Sequence, residues 1–233
     1  MKIIASLHGT AAFRAPPDDI TPLKGTIWSE VIAKVATTYK FASFPSVQPG
    51  MLPQFSFTFQ SGEFVSESES IGIQILFLTN GGIAVQTQTT AQSDLVLESL
   101  IALLDESFHF RIKASPRKHD YASHVVVEFE KSVESHIAVL GTITDLVRNA
   151  ISAPAEQPFS LKKLAFGREN IGPNVRAIQT MFGLDAIDFM DFVIERRAGT
   201  PFSQNRYYVG APLRTEKLYQ TLEGIESVLT KRS

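Results

Sequence analysis

Two runs of alternating apolar residues meet at Asn80-Gly81-Gly82, and this junction limits the possible folds more than any other feature. Ile71, Ile73, Ile75 and Phe77 alternate before it. Ile83 and Val85, then Thr87 and Thr89, alternate after it, opposite Gln86 and Gln88. A period of two belongs to strands with one buried face. Asn and Gly tolerate the positive φ that short hairpin connections favour. An antiparallel hairpin is therefore expected. Phe55, Phe57 and Phe59, alternating with Ser56 and Thr58, add a strand, and the polar stretch Glu63 to Ser70 reads as a separate one at a sheet edge.

Helical spacing brackets these strands. Trp28, Ile32, Val35 and Tyr39 fall on one face, as do Leu97, Ile101, Leu104 and Phe108. Ser93 is expected to cap the second helix, with Asp94 in its first turn. Lys2 to Leu7 is the first strand. Prolines 16, 17, 22, 45, 49 and 53 exclude regular structure around them.

The second half follows a related order. His124 to Glu130 reads as a strand with Val125, Val127 and Phe129 inward. A helix is expected over 136–151, carried by Val139, Ile143, Leu146 and Ala150. Phe159 to Phe166 is a strand and Asn174 to Phe182 a helix. Phe189 to Arg196 and Arg206 to Ala211 are strands about a Gly199-Thr200-Pro201 loop. Thr215 is expected to cap a last helix with the face Leu218, Leu222, Ile225 and Leu229.

The expected fold is α+β: two similar halves, mostly antiparallel sheet, with four amphipathic helices on one face. The N-terminal half spans 1–110 and the C-terminal half 111–233, as two units or one continuous domain. The order β-α-β-β-β-α, repeated, resembles the duplicated saddle of TATA-box-binding-protein-like folds. Ile20 to Phe108 is similar to a sparsely distributed, uncharacterised bacterial family. The shared features are a helix near Trp28, a Phe-rich strand, a hairpin and the Ser93-Asp94 helix start. Both resemblances concern architecture, and neither carries a functional residue with it.

Composition narrows the function classes. With no cysteine among 233 residues, disulfides, thiol catalysis and thiolate metal sites are excluded. No targeting segment or membrane span is read, so cytoplasm is the expected location. Net charge is -2, with -5 over residues 1–110 (5 Lys/Arg against 10 Asp/Glu) and +3 over 111–233 (17 against 14). That polarity suits contact between copies or with a charged partner. Walker A, G-x-G-x-x-G, G-x-S-x-G and H-E-x-x-H patterns are all absent, and no catalytic residue, metal ligand or cofactor is assigned.

Three clusters are weighed for chemistry. His109, His119, His124 and His136 surround Asp120, but their spacing matches no standard ligand motif. Asp185, Asp188 and Asp191 recur every third residue before Glu195 and are read as solvated or capping residues. Arg196, Arg197, Arg206, Tyr207 and Tyr208 combine guanidinium and aromatic groups on strands, a pattern able to grip a nucleic-acid strand. The leading expectation is a non-catalytic protein–protein interaction or assembly subunit. The alternatives are nucleic-acid binding through those five residues, or an enzyme using unfamiliar carboxylate–histidine chemistry.

Overall fold

The computed structural model describes residues 1–22, 27–46, 56–66, 69–112, 118–134, 142–143, 146–147, 150, 161–167 and 191–231. Its strands are β1 (Lys2–Arg14), β2 (Ser56–Val65), β3 (Ser70–Thr79), β4 (Gly82–Thr87), β5 (Lys118–Glu128), β6 (Lys163–Phe166), β7 (Phe192–Arg196) and β8 (Arg206–Ala211). Three long helices accompany them among the described residues: α1 (Trp28–Thr38), α2 (Thr90–Phe108) and α3 (Thr215–Lys231). The fold is α+β. All eight strands form one antiparallel sheet in the order β2-β3-β4-β1-β5-β8-β7-β6. From the central β1–β5 pair outward, each side runs through the last, the middle and the second strand of its own half.

Alternation decides which face is buried. Ala11 and Phe13 of β1 and Ile83 and Val85 of β4 join Val31, Ile32 and Val35 of α1 and Leu97, Leu100, Ile101 and Leu104 of α2 in one core. Val125 and Val127 of β5 and Tyr207 and Val209 of β8 pack with Leu218 and Leu222 of α3 in a second. The register Ala11↔Tyr121 places both cores on the same side of the sheet. The expected faces of these three helices are therefore the packed ones. Of the helix expected over 136–151, residues 142–143, 146–147 and 150 are helical, with Ile143 and Leu146 exposed. The helix expected over 174–182, together with Asp185, Asp188 and His136, lies outside the described residues.

Four expectations change. β1 continues through Gly9 to Arg14 rather than ending at Leu7. Glu63 to Val65 is not a separate strand but the end of β2, beyond a kink at Ser61, where φ is 56°. The buried set on β3 changes parity, from Ile71 and Ile73 to Leu76 and Leu78, leaving Ile75 and Phe77 half-buried. At the β3–β4 hairpin, neither Asn80 nor Gly81 takes a positive φ. There the Thr79 hydroxyl accepts from the Gly81 N–H (3.2 Å) and donates to the Gly82 carbonyl (3.1 Å).

The helix starts differ as well. Thr89, not Ser93, caps α2, accepting from the Gln92 N–H at 3.3 Å. Ser93 is buried one turn further in, donating to the Gly9 carbonyl at 2.9 Å. Thr215 does not cap its own helix. Thr90 and Thr215, the first residues of α2 and α3, instead exchange caps. The Thr90 N–H donates to Thr215 Oγ1 at 3.1 Å, and the Thr215 N–H to Thr90 Oγ1 at 2.9 Å. Two backbone donors at buried helix starts are thereby satisfied across the junction of the halves. Among the described residues no helix is long and apolar enough to cross a membrane.

Candidate functional site

The chemistry gathers on the sheet face turned away from α1, α2 and α3. Cross-strand rows define it. Phe77 lies opposite Ala84, Ala84 opposite Ala12, and Ala12 opposite Asp120. Ala12, Ala84 and Ala122 form a small buried apolar cluster with Phe77, separate from both helix-covered cores. Towards the other end of the central pair the row is charged. Lys2 lies opposite Glu128 and Glu128 opposite Arg206, whose Nε donates to Glu128 Oε2 at 2.7 Å. This face thus carries the small buried apolar cluster on one side of its centre and charged, paired residues on the other.

At the centre His8 of β1 faces His124 of β5. Their rings lie 4.1 Å apart at 37°, and His124 Nδ1 hydrogen-bonds the Tyr208 hydroxyl. Burial holds the His8 imidazole below its ordinary pKa. Burial first, and then the neighbouring His8, pushes His124 down to about 4. His124 Nδ1 and the Tyr208 hydroxyl share one hydrogen bond, its direction set by the tautomer of the neutral imidazole. Tyr208 is held above its ordinary pKa by burial and by the Glu195 charge, so it keeps its proton.

The sign of the pH effect follows from this depression. An unfolded histidine titrates near 6.5, whereas the folded His124 stays neutral down to about 4. The unfolded chain binds more protons in between, so stability falls as pH drops from about 6.5 to about 4. Allowing for partial exposure, the loss is on the order of 1 kcal/mol. Urea melts across this range should show the slope, and His124→Gln should flatten it. An equal slope in that variant would refute the assignment.

The histidines grouped by the sequence do not assemble. His109 closes α2 in the left-handed conformation. His119 sits on the helix side, its Nδ1 3.7 Å from Asp94 Oδ1. Asp120 is on the opposite side with Arg14, at 3.5 Å. Asp191 lies against Gly167. Among the described residues no three His, Asp or Glu side chains are grouped to hold a metal ion. His8, which belonged to no cluster in the sequence, is the residue that joins His124. Only strand register brings them together.

The five nucleic-acid candidates are divided between the two faces. Tyr207 is buried in the core under α3, and its hydroxyl accepts from the Val133 N–H at 3.2 Å. Arg196, paired with Tyr207 across β7 and β8, is buried on that side too. Alternation leaves Arg197, Arg206 and Tyr208 for the other face, where Glu128 already engages Arg206. The five residues therefore do not share one face, because strands send neighbouring residues to opposite sides.

A pocket of about 380 Å³ opens beside Tyr208, lined by Lys162, Glu195, Arg196, Arg197, Ala198 and Tyr208. It was not legible in the sequence, since Lys162 lies more than thirty residues from the rest of its lining. No protein-family model matches the chain, and no curated protein matches it.

Proposed function

We propose that this protein is a non-catalytic assembly subunit that pairs with a second copy of itself through the sheet face turned away from its helices. The opposite charges of the two halves carry this reading, together with the half-buried Phe77 on that face, beside the already buried Ala12, Ala84 and Ala122. Charge favours a like copy as the occupant. The halves carry -5 (5 Lys/Arg, 10 Asp/Glu) and +3 (17 and 14), so a copy turned by a half-turn sets each over its opposite.

The symmetric strand order, with His8 against His124 at its middle, supports reading the two halves as duplicated copies in a TATA-box-binding-protein-like arrangement. An intracellular location belongs to the same reading and rests on the cysteine-free composition.

Sedimentation equilibrium at micromolar concentration should give a mass above that of the monomer. Phe77→Glu places a carboxylate at the half-buried residue of this face and should return the protein to monomer with its far-UV spectrum unchanged. A wild-type monomer, or a Phe77→Glu protein that still associates, would sink the reading.

A further inference from the structure

We propose that the pocket beside Tyr208 is a binding site for a small anionic ligand, a phosphate or carboxylate compound held by Lys162 and Arg197. The charges around the pocket are unevenly satisfied. Glu195 is engaged by Lys163 at 4.0 Å, and Arg196 by Glu134 at 3.8 Å. Lys162 and Arg197 have no side-chain partner among the described residues. Two cations without counter-charges among the described residues therefore line a cavity of about 380 Å³, within the range typical of small-molecule sites. An anion entering it gains charge-assisted hydrogen bonds without first breaking an ion pair.

The frame of the pocket is fixed before any ligand arrives. The Arg196 N–H donates to the Lys162 carbonyl at 2.8 Å, holding the residue just before β6 against the end of β7. The Arg197 N–H donates to the Arg206 carbonyl at 3.0 Å, and the Arg197 carbonyl accepts from the Thr200 hydroxyl at 2.8 Å. Gly199, at φ +74°, makes the turn that returns the chain to β8. Tyr208 supplies the wall, its hydroxyl already committed to His124. The ring is thus oriented by a second contact, and binding does not have to order it.

Calorimetry with inorganic pyrophosphate and with citrate, each at constant ionic strength, tests the site. Saturable 1:1 binding of either probe is expected, pyrophosphate alone indicating phosphate ligands and citrate alone carboxylates. Arg197→Gln and Lys162→Gln should each weaken it at least about fivefold, the scale of one lost charge-assisted bond. Lys217→Gln, on the exposed side of α3, should leave affinity unchanged. Both pocket residues are exposed, so the variants should melt like wild type. No saturable binding of either probe at millimolar concentration would overturn the proposal, as would equal affinity in all three variants.

Discussion

Gly9→Ala is expected to destabilise the protein more than any other single-methyl addition to its sheet. A Cβ at Gly9 would stand 2.3 Å from the Thr90 nitrogen and 2.4 Å from the Thr89 carbonyl carbon. Both are backbone atoms at the start of α2, so no side-chain rotation can make room. That backbone is pinned from three sides. Thr89 caps the helix, Thr90 exchanges hydrogen bonds with Thr215, and Ser93 bonds the Gly9 carbonyl itself. Relief requires α2 to lift from β1, which opens the core around Leu97 and Ile101 and strains the mutual cap between the halves. Overpacking commonly costs about 1–3 kcal/mol, and an immovable obstacle places this case at or above the upper end. Urea denaturation of the alanine variant measures it. Gly224 is the control. It lies on the exposed side of α3 with nothing within 4 Å of the added atom. Gly224→Ala should stabilise by about 0.5–1 kcal/mol through helix propensity alone. A Gly9→Ala protein as stable as wild type would mean that α2 does not approach β1 as closely as described.

Gly9 also shows where sequence reading stops. The sequence places the first strand over Lys2 to Leu7, short of Gly9. The chain instead continues as strand, because the missing side chain serves a helix that is eighty residues away in sequence. The same holds for the polar residues at the junction. Ser93 and Thr215 carry the right chemistry for caps, and caps were expected of them. What each one bonds depends on how the start of α2 meets β1 and the first residue of α3, which no local window contains. By contrast the helix faces and the Ile71–Val85 hairpin were legible, because periodicity is set by local geometry and by burial on a single side. The candidate site was the least legible part. His8 and His124 meet through the β1–β5 register, and Lys162 and Arg197 come to line one pocket through the β6–β7 pairing. Both arrangements depend on strands distant in sequence, and their residues have no motif spacing.

Arg196→Ala is the second substitution with a large expected effect, and it separates two roles for the same side chain. As a surface residue Arg196 would hold nucleic acid, and its loss would cost binding but not stability. The structure places it as a buried clamp among three segments. Its Nε donates to the Leu161 carbonyl at 3.1 Å, one terminal nitrogen to the Phe202 carbonyl at 3.3 Å, and the other to Ser132 Oγ at 2.9 Å. Glu134 lies 3.8 Å away, and the Phe202 and Tyr207 rings stand 4.7 and 5.2 Å from the guanidinium carbon. Removing the guanidinium takes the Arg196 donor from the Leu161 carbonyl and from Ser132 Oγ and the positive charge from beside Glu134, while the Phe202 carbonyl keeps the Asn205 N–H at 3.2 Å. Breaking a buried pair from one side costs roughly 3–5 kcal/mol. Arg196→Lys keeps the charge but lacks the planar fork that reaches three acceptors at once, so its loss should be intermediate. Thermal melts of both variants, run beside a binding assay with a labelled oligonucleotide, distinguish the roles. The expected order of stability is wild type, then lysine, then alanine. An alanine variant that melts like wild type but loses oligonucleotide binding would put Arg196 back on the surface and restore the nucleic-acid reading.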